Sequence, residues 1–217
     1  MSLSHSPSIV TSGLVLCLDA ASPRSYPGSG TAWTDVSGNG KNGTLTNGPT
    51  YSSSNMGSIV FDGIDDYVSL GAILSGGVTT AFTLMAWAKT STASGWQTAV
   101  GTLGTYRQIG FMNNSFYWGG NVGGGNLFVN GGAVTAGIWY HLAFTFNGTT
   151  GYGYLNSTQT TGSIGGNGGT IGNSIIGSYG AGEYINGNIS SVQIYNRALS
   201  AYEVTQNFNA LGGRYGI

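Results

Sequence analysis

Three of the seven acidic residues of this 217-residue chain crowd into one short run, FDGIDDYVSL (residues 61–70), as Asp62, Asp65 and Asp66. Carboxylates at that spacing suit acid–base catalysis, a hard metal ion, or a turn between two strands. Glycoside hydrolysis needs two carboxylates about 5–5.5 Å apart for retention, or about 6.5–9.5 Å for inversion. Asp65 and Asp66 are adjacent, so on a strand they would point to opposite faces. The two glutamates, Glu183 and Glu203, are far apart in sequence, and Glu203 already fits a helix cap. The metal reading stays open: calcium takes roughly six to eight oxygens, and three aspartates in a turn would supply part of them. The turn reading is favoured, because Asp62-Gly63 between SIVF and DYVSL places a carboxylate where it can accept backbone N–H groups.

Other reactive residues offer less. His141 sits near Trp139 with no nucleophile or carboxylate at a telling spacing, and reads as a structural histidine with satisfied ring nitrogens. His5 falls near the N-terminus. Cys17, the sole cysteine, lies inside the apolar run GLVLCL and reads as a buried, inert thiol. The glycine-rich stretches 119–126 and 165–174 lack the Gly-Lys-Ser/Thr ending of a phosphate loop, and no Gly-x-Ser-x-Gly, His-Glu-x-x-His or Cys-x-x-Cys occurs. The expectation is a protein that binds rather than catalyses.

Composition narrows what it binds. Only 6% of residues are charged, where roughly 25% is ordinary. Six basic residues against seven acidic leave a net charge of −1, which gives no electrostatic footprint for nucleic acid or an anionic membrane. So little charge favours association, as in a subunit of an assembly or a durable particle. The opening MSLSHSPSIVTSG has no basic and long apolar regions of a secretory signal, and no apolar run reaches the roughly 18 residues of a membrane span. Five Asn-x-Ser/Thr triplets, at Asn42, Asn113, Asn147, Asn156 and Asn188, therefore read as turn asparagines.

The elements that must position these residues are strands. About a dozen short β-branched or aromatic runs alternate with Gly/Asn/Ser clusters, and forty glycines spread along the chain read as many tight turns. Asn-Gly occurs seven times, and Asn147-Gly148 is expected to join YHLAFTF to TTGYGYLN as a hairpin. Phe82, Leu84 and Ala86 alternate with Thr83, Met85 and Trp87, and Leu142, Phe144 and Phe146 with His141, Ala143 and Thr145. Period-2 patterns of this kind predict half-buried antiparallel strands and an all-β sandwich or barrel. The one helix signal is the capping box of Ser200 and Glu203 ahead of Val204, Phe208 and Leu211, placing a short helix near 200–210. Residues 1–12 are expected to form an arm outside a single domain spanning 13–217.

Three segments together, FDGIDDYVSL, GIWYHLAFTFNGTTGYGYLN and GNISSVQIYNRALSAYEV, resemble successive signatures of the laminin-G-like, concanavalin A-like jelly-roll family. The matching positions are Phe61, Asp62, Gly63, Asp66, Tyr67 and Val68, then Trp139, His141 and Ala143. Gly187, Ile189, Val192, Ile194, Tyr195, Arg197, Leu199 and Ser200 complete the series. The run from Gly13 to Ser53 and the end NFNALGGRYGI are similar to those of such domains in bacteriophage structural proteins. The resemblance implies a two-sheet antiparallel jelly roll with one short C-terminal helix. It also implies binding of carbohydrate, sometimes through calcium, or of proteins, and leaves the ligand open.

Two functional readings follow. In one, the domain is a glycan-binding module whose exposed aromatics and amides grip sugars: Trp96, Tyr106 and Trp118, with Tyr117 beside them, and Asn121 and Asn126. In the other, it is a non-enzymatic virion protein (capsid decoration, fibre or tail-associated) on a phage surface. Its partners would be other virion proteins and copies of itself, with Leu3, Ile9 and Val10 anchoring the arm on a neighbour. The readings are compatible, since a particle can display a lectin-like domain. The alternatives are a free-standing carbohydrate-binding module or a glycan-active enzyme. No cofactor is required, with calcium left open.

Overall fold

The computed structural model describes residues 7–74, 81–92, 94–103, 107–122, 125–165, 172–180 and 182–217, without the side chains of 121, 122, 125 and 126. The chain runs through β1 (Leu14–Asp19), β2 (Ala32–Trp33), β3 (Gly43–Thr46), β4 (Thr50–Ser52), β5 (Ser58–Asp62) and β6 (Tyr67–Gly71). The middle holds β7 (Phe82–Thr90), β8 (Trp96–Thr102), β9 (Gln108–Met112), β10 (Ser115–Val122), β11 (Gly125–Ala133) and β12 (Tyr140–Phe146). Then follow β13 (Thr150–Leu155), β14 (Thr158–Gln159), β15 (Ile164–Gly165), β16 (Ser174–Ile176), β17 (Asn186–Tyr195) and α1 (Ala201–Gly212).

These strands form two antiparallel sheets, the sandwich that the alternation predicts. The first runs β14-β13-β12-β7-β17-β5-β4, with β1 also on β17 and β15 on β13; the second runs β11-β10-β9-β8-β16-β6-β3-β2. Their inner faces enclose one large apolar core that includes Phe82, Leu84, Ala86, Leu142, Phe144 and Phe146. Aromatic bulk is accommodated by glycine across the way. A Cβ on Gly153 would come within 2.2 Å of the Trp118 indole, and one on Gly131 within 2.3 Å of Phe116.

The hairpin expected at Asn147-Gly148 is present, joining antiparallel β12 and β13. Asn147 keeps negative φ there, and the loop closes with Asn147 N–H on Thr150 O. Asn47-Gly48 (70° and 119°), between β3 and β4, has positive φ at both positions, as do the hairpin turns Asn113-Asn114 (46° and 64°), between β9 and β10, and Asn156-Ser157 (48° and 66°), between β13 and β14. Asparagine tolerates the left-handed region well enough to make a turn of this hand without glycine.

The outer face of the first sheet is also buried, which the alternation alone does not show. Helix α1 begins at Ser200, whose hydroxyl accepts from Glu203 N–H while the Glu203 carboxylate accepts from Ser200 N–H. It lays Val204 into a second apolar cluster with Met85, Ala143, Tyr195 and Leu199, and stacks Phe208 on Trp87 at 5.5 Å. His141 lies under this layer, 5.2 Å from the Trp87 ring. It is fully buried, yet neither ring nitrogen has a hydrogen-bond partner, so it is a packing residue and not the satisfied histidine expected.

Residues 7–12 belong to this layer rather than to a free arm. Val10 is buried in the second cluster, its N–H donates to Asn207 Oδ1 at 2.7 Å, and its carbonyl accepts from Tyr195 Oη at 2.9 Å. Gln206 Nε2 donates to Ser8 O and Arg197 Nε to Ser12 O. The correction has a simple cause: the anchoring groups sit some 200 residues away in sequence, on the C-terminal helix and last strand, so no local pattern reveals them. Ile9 is half-buried in the same segment, and Leu3 lies outside the described residues.

Two outcomes are expected. Deleting residues 1–10 removes the Val10 N–H donor of Asn207 Oδ1 and the Val10 carbonyl acceptor of Tyr195 Oη, and keeps the bond from Asn207 Nδ2 to Tyr195 Oη. It should cost about 2–4 kcal/mol of stability in urea unfolding. Burial holds His141 down from 6.5 to about 3, so the unfolded chain takes up the proton first. Stability present above pH 6.5 should decline as pH falls from there towards 3, by up to ~1.4 kcal/mol per pH unit. Unfolding of His141→Phe should lose that dependence between pH 6.5 and 4.5.

Candidate functional site

The outer face of the second sheet is built by alternation. Val68 and Leu70 of β6 point into the core, which turns Tyr67 and Ser69 outward. Ile175 of β16 pairs with Ser69 and faces the same way, after a register shift at Ser174. These residues form the floor of a cleft of about 440 Å³. Its walls are Asn47, Leu103, Asn173, Ser178, Gly180 and Tyr184. Among the described residues that line it, none carries a formal charge. Tyr67 and Tyr184 are half-buried, so each ring offers part of its surface, and the Ser174 hydroxyl in the wall has no hydrogen-bond partner.

The segment carrying Ser178 to Tyr184 is folded over the sheet. Ser178 Oγ accepts from Gly180 N–H at 2.8 Å and donates to Gly182 O. Gly180 has φ +96°, and a Cβ there would meet Leu103 at 2.7 Å, so the wall requires glycine. Glu183 holds the segment down from a left-handed backbone, φ +57°. Its carbonyl accepts from Thr98 N–H, and its Oε2 accepts from Thr98 Oγ1 at 2.9 Å. Thr98 in turn stands 2.8 Å from Tyr117 Oη. One order of protons satisfies all three: Tyr117 donates to Thr98 and Thr98 to Glu183. Complete burial, reinforced by the Glu183 charge, pushes the Tyr117 phenol well above its ordinary value. Tyr117 is therefore a fixed neutral donor.

Beyond this network stands an aromatic ledge. Trp96, 38% exposed, meets Tyr117 edge-on at 4.9 Å and Phe128 at 5.1 Å. Trp96 is thus exposed on the outer face as the sequence suggests. Trp118 is not. It is fully buried in the core, its Nε1 donating to Thr160 Oγ1 and its ring 5.3 Å from Phe144. It shares parity with Phe116, which also points inward, so a residue two along from a core aromatic could not face solvent. Asn121 and Asn126 are opposite one another in the β10–β11 pairing, with side chains outside the description, and Tyr106 lies outside the described residues. The cleft residues Asn47, Tyr67 and Tyr184 were missed. The available signal was Tyr67, one residue beyond the acidic run.

That acidic run borders the cleft through Asn47, whose Nδ2 donates to Asp65 O. The turn chemistry is present: Ile64 N–H donates to Asp62 Oδ1 at 2.8 Å, and Asp62 N–H to Asp66 Oδ2 at 3.0 Å. One carboxylate oxygen from each of Asp62, Asp65 and Asp66 lies within 4.8 Å of the other two. As a calcium site the donors are right in kind and short in number, since two of the carboxylates each spend an oxygen on a backbone N–H. Asp66 is buried, and its pKa is raised chiefly by that burial and further by the charges of Asp62 and Asp65, against the lowering by Asp62 N–H.

The comparisons can be set against this geometry. The family model described as the concanavalin A-like lectin/glucanases superfamily, of laminin-G-like type, matches residues 62–205. The chain belongs to that superfamily. The binding domain of Paraclostridial Mosquitocidal Protein 1 superposes with a TM-score of 0.72 at 15% identity, covering 92% of this chain and 52% of that one. Domain 4 of AbnA, an extracellular arabinanase from Geobacillus stearothermophilus solved with arabinotriose, gives 0.67 at 18%, covering 89% and 97%. The Trypanosoma rangeli sialidase gives 0.69 at 18%, with 95% of this chain on 34% of the enzyme. The chain thus spans about half of the first of these and about a third of the sialidase. A sequence comparison with curated proteins gives no match. At these identities the likeness is one of jelly-roll fold.

The acidic turn yields a prediction. Asp66→Ala leaves Asp62 N–H without its acceptor and should cost about 1–3 kcal/mol. Asp66→Asn keeps an acceptor and sheds a charge whose raised pKa means that it weakens the fold as pH rises through it. Urea unfolding at pH 7 should therefore find Asp66→Asn at least as stable as the parent.

Proposed function

We propose that this domain binds neutral glycans without transforming them, through the cleft on the outer face of the second sheet. The observation that carries the reading is the lining of that cleft: two half-exposed tyrosine rings beside side-chain amides and hydroxyls, with no formal charge. A sugar presents C–H faces that pack on aromatic rings and hydroxyls that exchange hydrogen bonds with Asn and Ser. An anion or cation would find no countercharge among the lining residues. Membership of a lectin and glucanase superfamily agrees with this chemistry. So does the fold-level likeness to a domain solved with arabinotriose.

Binding without catalysis is the reading that Glu183 supports. Its carboxylate is held by the Thr98 hydroxyl beside Tyr117, where a hydrolase would need a second carboxylate at working distance. The binding contacts need no cofactor, and calcium at the acidic turn would stiffen the rim of the cleft rather than hold the sugar.

We further propose display on the surface of a bacteriophage particle, as a decoration, fibre or tail-associated subunit contacting other virion proteins or copies of itself. Support comes from a surface with so little charge, and from chain ends similar to those of phage structural proteins. Immunogold labelling of native particles tests the location; particles that carry no label would sink it.

The binding claim is tested by calorimetry with a panel of neutral oligosaccharides. Tyr184→Ala and Tyr67→Ala should each weaken binding about tenfold or more, the loss expected for one stacking contact. Neither should shift the melting temperature greatly, since both rings are half-exposed. Unchanged affinity in both variants would refute the assignment of the cleft.

A further inference from the structure

A second groove lies on the opposite side of the molecule. Helix α1 and the segment leading into it cover the outer face of the first sheet over β7, β12 and β17 and reach Tyr154 of β13, but leave Tyr152 and β14 partly open. The uncovered strip forms a groove of about 410 Å³ between the β12–β13–β14 hairpins and the segment leading into α1. Tyr152 and Tyr154 stand two residues apart on β13, and so share this face. Tyr154 is buried, while Tyr152 is half-exposed and its hydroxyl makes no hydrogen bond among the described residues.

Two amides flank the tyrosines, and both are oriented by the fold. Asn147 Oδ1 accepts from Thr149 N–H, Thr149 Oγ1 and Thr150 N–H, at 2.8–2.9 Å. Gln159, paired with Tyr154 across the strands, accepts from Tyr154 Oη at 3.4 Å. Each amide oxygen is therefore engaged from within, which leaves each NH₂ group free to donate outward. Charge is absent here too. The nearest ionised groups, Arg197 and Glu203, neutralise one another at 2.6 Å, and Glu203 also occupies Ser200 N–H, the donor that an anion would seek at the start of the helix.

We infer that this groove is a second site for a neutral glycan, with Tyr152 as the stacking surface and Asn147 and Gln159 as donors to sugar hydroxyls. The choice of ligand class rests on the same chemistry as the proposed function, but the residues are entirely separate. The two sites lie on the outer faces of opposing sheets and look away from each other. They cannot engage a single rigid chain side by side. The domain is instead bivalent towards separate glycan chains and cross-links them, which raises apparent affinity on a multivalent surface without any new contact.

Two-dimensional NMR of the full chain, titrated with neutral oligosaccharides, reads the sites separately through their side-chain amides. Shifts are expected at Asn147 and Gln159 as well as at Asn47 and Asn173. Tyr152→Ala should weaken the first pair of responses about tenfold or more and leave the second unchanged. Tyr184→Ala should do the reverse, and Tyr152→Phe, which keeps the ring, should stay within about threefold of the parent. Precipitation of a neutral polysaccharide by the parent should vanish in either alanine variant. Responses confined to Asn47 and Asn173 and indifferent to Tyr152→Ala would overturn the second site and leave the first standing. Responses confined to Asn147 and Gln159 would sustain the second site and overturn the first, and silence at all four would overturn both.

Discussion

Close approach of aromatic rings to glycine backbone is the constraint on which the rest of this structure depends. Trp118 lies against Gly153, Phe116 against Gly131 and Phe144 against Gly151, with separations that leave no room for a methyl group. Large rings thus fill space vacated across the sandwich, as Trp118 over Gly153, or on the neighbouring strand of the same sheet, as Phe116 beside Gly131 and Phe144 beside Gly151. At these three glycines, which stand within strands and are not at positive φ, the missing Cβ matters more than freedom to turn. Twenty other glycines among the described residues have positive φ, where that freedom is used.

With so few charges, polar groups of the backbone and of Asn, Ser and Thr take over the tasks that ion pairs perform in other proteins. Both ion pairs among the described residues serve the C-terminal layer. Arg197 binds Glu203 at the start of α1, and Arg214 grips the Asp19 carboxylate with two bonds of 2.7 and 2.8 Å. Elsewhere, Asp35 accepts from Cys17, Ser37 and Lys41 N–H groups, which hold its pKa down against the opposing effect of burial. Asn207 bridges Val10 and Tyr195. The surface left over is rich in amides, hydroxyls and ring faces, which is the surface a sugar recognises.

The two outer faces of the sandwich are covered differently, and this difference shapes the recesses left on each. One is covered by α1 and the N-terminal segment as far as Tyr154 of β13, with Tyr152 and β14 partly open beyond it. The other is crossed by the segment through Glu183, which is strapped to Thr98 and Tyr117. Each cover leaves an uncharged recess beside it with tyrosines in its lining. Arg107 is the exception: its buried guanidinium has no hydrogen-bond partner and lies over the Phe146 ring at 4.8 Å and the Phe82 ring at 5.7 Å, where the ring faces attract the cation.

Much was legible in the residues themselves, because strand parity and capping are local. Alternation along 82–87 and 141–146 separated the two faces of each strand correctly, although the strands are buried on both faces and not on one. Ser200 with Glu203 marked the helix start to the residue. Asp62-Gly63 read as a turn, and two carboxylate–amide bonds are found there. Parity along β10 puts Trp118 on the same face as Phe116, and both are buried in the core. Tertiary structure alone decided the rest. Nothing near residues 7–12 shows that Asn207 and Tyr195 will hold them, and nothing near Asn47, Tyr67 and Tyr184 shows that they share a cleft. A chain can announce which way a side chain points, since that depends on its own pleat. Which distant side chains it will meet depends on how the sheets stack and where the loops return, and those are properties of the whole fold.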